Sequence, residues 1–183
     1  MPMTPKLLAA GLLLLLAAAP AHGAAAKPKA PTPVTSRHLW ATVDVCNTKA
    51  LPRVVGIRAS IPGTGLPNEE MFMRFEVEYQ AGSAWKMIPK ADTGFRDVGS
   101  AIYKARQAGQ YFTIPLAPPG SAPAPGAPAA STQFVLRGRV MFQWRRRGHA
   151  VLRATRTTTA GHLSTAGADP AGYSAAACAL PIA

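Results

Sequence analysis

Residues 71–79 have the sequence MFMRFEVEY, in which apolar and polar side chains alternate. An alternation of this kind predicts a strand of an antiparallel sheet with one face toward a core. The inward face would carry Met71, Met73, Phe75, Val77 and Tyr79. On the opposite face Glu76 and Glu78 accompany Arg74, and we predict a solvated, salt-bridged surface there.

The same period of two recurs in residues 136–145, LRGRVMFQWR, and in residues 54–61. The predicted inward positions are Leu136, Gly138, Val140, Phe142 and Trp144 in the first segment and Val55, Ile57, Ala59 and Ile61 in the second. Weaker strand patterns lie at 41–46, 101–106, 110–114, 150–159 and 174–180. Arg147, Gly148 and His149 are predicted to form a hairpin turn. About seven to eight short strands separated by Gly and Pro predict an all-β fold, an antiparallel immunoglobulin-like β-sandwich.

The chain has two cysteines, Cys46 and Cys178. A lone pair in an exported protein is most simply one disulfide, and two buried free thiols are the alternative. The pair encloses nearly the whole predicted domain, and closing such a loop stabilises a fold by about 4–5 kcal/mol in the chain-entropy model. Cys46 would lie in the first strand and Cys178 in the last, so the bond would tie the two ends of the domain together.

Residues 1–23 follow the pattern of a secretory signal peptide, with a basic start, an apolar run at 7–19 and small residues after it. The apolar run has 13 residues (7 to 19), whereas a membrane-spanning helix needs roughly 20. We therefore expect cleavage after Gly23 or after Ala26, and no transmembrane anchor in the mature protein. The expected location is secreted, either extracellular or associated with the cell envelope.

Residues 24–37, AAAKPKAPTPVTSR, contain little but Ala, Pro and Lys, and they predict a flexible tether. Residues 38–183 are then a single β-sandwich domain, in a size range that buries roughly 70% of the unfolded surface. Within this domain, residues 116–131, LAPPGSAPAPGAPAAS, form a low-complexity segment that predicts a surface loop.

The chain is strongly basic, because 20 Lys and Arg residues oppose 8 Asp and Glu residues and give a formal net charge of +12. Two explanations are open. The first is that the positive surface binds an anionic partner, which a strong positive field attracts. The second is that GC-rich coding enriches Arg together with Ala, Gly and Pro.

Seven arginines fall within residues 137–156 and would converge on one face and the tip of a hairpin. Guanidinium forks bind phosphate and carboxylate groups, so these side chains are candidates for anion binding. The alternative is an ordinary solvated sheet face. The candidates are Arg137, Arg139, Arg145, Arg146, Arg147, Arg153 and Arg156.

The aromatic residues near these arginines are predicted to point away from them. Phe142 and Trp144 fall on the inward face of their strand, and Trp85 is also predicted to lie in the core. Proteins that bind single-stranded nucleic acid offer aromatic stacking platforms beside their basic residues. The pattern therefore argues against nucleic acid as the partner.

The sequence shows no catalytic or metal-binding constellation. His149 and His162 are predicted to be surface histidines in a turn and a loop. They lack both the paired acid of a Ser-His-Asp triad and the spacing of a zinc site. We therefore expect no enzyme activity, no metal and no cofactor.

Four segments together resemble a known group of proteins: VDVCN at 43–47, GIRASIPG at 56–63, MFMRFEVEY at 71–79 and GYSAAAC at 172–178. They are similar to functionally uncharacterised small secreted proteins of high-GC bacteria, which are taken to be immunoglobulin-like or fibronectin-like β-sandwiches. The resemblance covers about residues 40–180. It implies export and a sandwich fold, and it carries over no site residues.

The sequence therefore favours a secreted, non-enzymatic β-sandwich that acts as a binding or structural module at the cell envelope. The basic hairpin face is the expected contact surface, and an anionic envelope polymer is the expected ligand. The alternative is a secreted inhibitor or an enzyme-accessory domain that acts through a secreted protein partner.

Overall fold

The computed structural model describes residues 32–114, 133–163 and 166–181. A short 3-10 helix, Pro33–Thr35, precedes nine strands in these residues. The strands are β1 Trp40–Cys46, β2 Val54–Pro62, β3 Glu69–Ala81, β4 Ala84–Asp92, β5 Arg96–Ser100, β6 Ala105–Thr113, β7 Gln133–Arg146, β8 His149–Thr157 and β9 Cys178–Pro181.

The strands form two antiparallel sheets. One has the order β1-β2-β6, and the other has the order β4-β3-β7-β8, with β5 also paired to β3 and β9 to β7. The first two strands thus share a sheet with β6, while β3 joins the β7–β8 hairpin in the opposite sheet, as in immunoglobulin-like sandwiches. The predicted all-β antiparallel sandwich is confirmed, with nine strands among the described residues.

The core lies between the two sheets and uses the faces that the alternating patterns predict. Every apolar inward position on β2 and β7 is buried, as are Met71, Met73, Phe75 and Val77 on β3. Trp144 is fully buried, and its indole Nε1 donates a 2.7 Å hydrogen bond to the Pro62 carbonyl. The period of two identified these faces because each strand packs against the core on one side only.

The strand predicted at residues 101–106 begins too early, because only Ala105 and Arg106 belong to a strand, β6. Residues 101–104 form the turn between β5 and β6, where Ile102 and Tyr103 are 54% and 51% exposed. The sequence patterns also missed β4, because this edge strand buries only Ile88 and Ala91 and carries no regular alternation.

The β7–β8 hairpin is confirmed, with a turn of two residues between Arg146 and His149. Arg147 and Gly148 both have positive φ, 50° and 79°. Two positive φ angles are the requirement of a type I′ hairpin turn, whose twist matches that of the flanking strands. The turn therefore presents the Arg147 side chain at the tip of the hairpin.

Cys46 and Cys178 form the predicted disulfide, with Cα atoms 5.4 Å apart. Cys46 ends β1 in the three-stranded sheet, and Cys178 begins β9 in the six-stranded sheet. The bond therefore joins the two sheets as well as the two ends of the domain. In antibody domains a disulfide also joins the two sheets, but there it connects the second and sixth strands, called B and F.

Several predicted segments lie outside the described residues: the signal peptide at 1–23, the first part of the tether at 24–31 and the low-complexity loop at 116–131. The remainder of the tether contributes to the domain. Val34 packs against the core, and its carbonyl accepts a 2.7 Å hydrogen bond from Arg156 Nη2. None of the described helices is long and apolar enough to span a membrane.

Candidate ligand-binding face

Three of the four acidic side chains of β3 are buried and paired with arginines. Glu69, Glu76 and Glu78 are only 2%, 2% and 5% exposed. The prediction of a solvated face is therefore wrong at Glu76 and Glu78. β3 lies between β4 and β7, so long side chains from its neighbours fold over the carboxylates and exclude water.

Three of the seven candidate arginines neutralise these carboxylates, and we call them the paired arginines. Arg137 Nε lies 2.8 Å from Glu78 Oε2, Arg139 Nε lies 3.1 Å from Glu76 Oε2, and Arg146 Nη2 lies 2.5 Å from Glu69 Oε1. Each arginine stands directly opposite its glutamate in the β3–β7 register. A cation held in this way stabilises a buried carboxylate and is less free to bind an external anion.

Arg156 has a structural contact as well. Its guanidinium donates to the carbonyl of Val34 at 2.7 Å and to that of Thr155 at 2.9 Å. These hydrogen bonds hold the 3-10 helix against β8. Arg156 therefore fastens the N-terminal segment to the domain.

Arg145 lies on the outer face of the six-stranded sheet between two aromatic rings. Its guanidinium carbon is 4.0 Å from the ring centre of Phe72 and 5.3 Å from that of Phe95. Arg145 Nε also donates a 2.9 Å hydrogen bond to Gln143. Stacking on aromatic faces orients a guanidinium and leaves its edge nitrogens available as donors.

The prediction that aromatic side chains near the candidate arginines point away from them is wrong for the outer face of the six-stranded sheet. Phe142 and Trp144 are buried as predicted, but Phe72 comes from β3 and Phe95 from the segment before β5. Trp85 also contacts a candidate arginine. It is only half-buried, and the guanidinium carbon of Arg137 lies 4.2 Å from the centre of its ring. Its predicted core position is therefore wrong.

The side chains of Arg147 and Arg153 make no hydrogen bond or ion pair within the part of the chain that the structure describes. Arg147 is in the hairpin turn, and Arg153 on β8 stands opposite Gln143. Arg153 also lines a small cavity of about 80 Å³ together with Phe95, Met141 and Gln143. We call Arg145, Arg147 and Arg153 the open arginines, since in the described chain their side chains neither pair with a carboxylate nor, as Arg156 does, donate to a backbone carbonyl.

His162 differs from its prediction as a surface histidine. Its ring stacks on Trp40 with centroids 4.3 Å apart and planes at 12°, and a ring nitrogen lies 3.1 Å from Thr159 Oγ1. Burial lowers the pKa of His162. His149 is exposed at the start of β8, as predicted.

A fourth buried acid, Asp44, lies on the outer side of the three-stranded sheet. Its Oδ2 lies 3.2 Å from Arg58 Nε. Oδ1 has no hydrogen-bond partner among the residues described. Burial raises the pKa of Asp44, and the contact with Arg58 opposes that effect. This pair fills the space under the segment that contains Asp169, whose amide donates to the Asp44 carbonyl at 3.0 Å.

The described ranges contain no cluster of three or more His, Cys, Asp or Glu side chains that could hold a metal ion. Comparisons of the chain with protein-family models, curated proteins and solved structures give no match.

Proposed function

We propose that this protein is an exported, non-enzymatic binding module that attaches to an anionic polymer of the cell envelope through its open arginines. The observation that carries the proposal is the division of the seven hairpin arginines into three paired side chains, three open ones and Arg156, which is bound to backbone carbonyls. The open set combines a stacked guanidinium at Arg145 with two unpaired ones at Arg147 and Arg153.

Export is supported by two independent features. Residues 1–23 have the signal-peptide pattern. The Cys46–Cys178 disulfide belongs to an oxidising compartment, since cytosolic thiols are kept reduced.

An anionic ligand is supported by the distribution of charge. The formal net charge is +12, and four of the eight acids, Asp44, Glu69, Glu76 and Glu78, are buried beside arginines. Since arginines already neutralise these four acids, few carboxylates remain at the accessible surface to offset the other basic side chains. A positive surface of this kind attracts polyanions over about one Debye length, roughly 8–10 Å.

A binding role fits the buried acids better than a catalytic one. General acid–base chemistry needs titratable groups that converge on a bound substrate. Glu76 and Glu78 instead lie on the outer face of β3 and Glu69 lies at its start, on the side of Met71, and each is paired with an arginine. Their arrangement supports the packing of the sheet.

Co-sedimentation with purified bacterial cell walls tests the proposal. The pelleted fraction of the natural protein should fall as salt rises, because the contacts are ionic. Arg147→Gln/Arg153→Gln should weaken binding by roughly tenfold, since two exposed charge contacts contribute about 0.5–1 kcal/mol each.

The matched control is Lys49→Gln/Lys86→Gln, which removes the same charge at two exposed positions away from the hairpin. It should bind almost as the natural protein does. Equal weakening by both double variants, or binding that salt does not change, would refute the arginine face as the site.

A further inference from the structure

One end of the sandwich carries an open groove of about 340 Å³ that none of the predicted sites includes. The β2–β3 loop, the β5–β6 turn and the segment before β1 enclose it. Pro62 and Ile102 supply apolar surface, whereas His38, Thr64 and Lys104 supply polar groups. Its volume is at the lower end of the range of ligand pockets, about 300–1,000 Å³. Loops at one end of immunoglobulin-like sandwiches form the binding surface of antibody variable domains.

Backbone contacts hold the two loops of the groove together. The amide of Gly63 donates to the Lys104 carbonyl at 3.1 Å, and that of Gly65 donates to the Ala101 carbonyl at 2.9 Å. A Cβ atom at Gly63 would lie only 2.0 Å from the Tyr103 carbonyl oxygen, so glycine allows this close approach.

Side chains from the interior fix the same loop. Trp144 Nε1 donates to the Pro62 carbonyl at 2.7 Å. Thr64 donates to Glu69 at 2.6 Å, and the other oxygen of Glu69 is held by Arg146. The groove is therefore formed before any ligand arrives, which reduces the entropic cost of binding.

The rim combines exposed apolar side chains with positive charge. Leu66, Ile102 and Tyr103 are 42%, 54% and 51% exposed. Arg106 lies 4.0 Å above the Tyr103 ring, and Lys104 makes no ion pair with the described residues. No described acidic side chain lines the groove. Exposed apolar clusters on a rigid surface indicate a protein interface.

We propose that this groove binds a short segment of a partner protein in which an acidic residue lies beside an apolar one. Lys104 receives the carboxylate, and Ile102 and Tyr103 contact the apolar side chain. The site is separate from the open arginines and goes beyond the proposed binding of an anionic polymer.

Selection of a random short-peptide phage library on the purified protein tests the proposal. The expected result is an enriched motif with Asp or Glu next to an apolar residue. On Lys104→Glu the acidic preference should disappear or change to Lys or Arg. Lys86→Glu makes the same charge change on β4, opposite Tyr79 near the other end of β3, and should leave the motif unchanged.

The affinity of a selected peptide gives a second readout. Ile102→Ser should weaken it by about fivefold or more, because the apolar contact within the groove is lost. Met87→Ser changes a similarly exposed apolar residue on β4, and Arg153→Gln changes an open arginine. Neither should alter peptide affinity. No enriched motif, a motif without an acidic residue, or equal effects of Ile102→Ser and Met87→Ser would overturn the proposal.

Discussion

Reduction of the Cys46–Cys178 disulfide is expected to lower the free energy of unfolding by about 4–5 kcal/mol in the chain-entropy model. The effect is large because the cysteines are separated by 132 positions, so the bond restricts most of the domain in the unfolded state. β9 contributes only four residues to its sheet, and the bond adds a covalent link to its pairing with β7. Chemical denaturation with and without reductant measures the loss.

The double variant Cys46→Ala/Cys178→Ala provides the control for this measurement. It should be destabilised to a similar extent, and reductant should then have no further effect on it. An unchanged unfolding midpoint after complete reduction of the natural protein would show that the bond does not stabilise the sandwich.

The double variant Arg137→Met/Arg139→Met is expected to lose about 3 kcal/mol of stability at neutral pH. Both arginines contact Glu78, which is 5% exposed, and Glu76 retains Arg74 when Arg139 is removed. Their loss leaves Glu78 as a buried charge without a cation, and breaking such a pair costs about 3–5 kcal/mol. Denaturant titration at neutral pH measures the change.

Two further measurements distinguish lost charge compensation from lost packing. Adding Glu78→Gln to the double variant should restore part of the stability at neutral pH, because the buried side chain then carries no charge. Arg137→Met alone reports the packing contribution, since Glu78 keeps Arg139. A loss that Glu78→Gln does not reduce would place the role of Arg137 in its packing on Trp85.

The sequence predicted the core faces of the central strands because their alternation has a direct physical cause. β2, β3 and β7 each bury one face, so buried apolar residues occupy every second position. Ile57, Phe75 and Phe142 are examples. The disulfide was predictable from the cysteine count and the expected compartment.

The sequence could not divide the arginines into paired and open sets, because that division depends on which residues face each other across strands. Glu78 and Arg137 are 59 positions apart and meet only through the β3–β7 register. Phe95 reaches Arg145 from the segment before β5, whose pairing with β3 gave no sequence pattern. The groove also has no sequence pattern, because backbone hydrogen bonds between two loops form it and such bonds involve no side chains.

The most direct test of this division compares Arg153→Gln with Arg137→Gln, which remove the same charge from the same hairpin. Arg153→Gln should weaken binding to purified cell walls severalfold and leave stability within about 0.5 kcal/mol, as surface substitutions usually do. Arg137→Gln should lower stability by about 1–3 kcal/mol, because it weakens a charged hydrogen bond to Glu78. The folded Arg137→Gln protein should bind to cell walls as the natural protein does. Equal loss of wall binding in the two variants would contradict the account, because binding would then follow net charge alone.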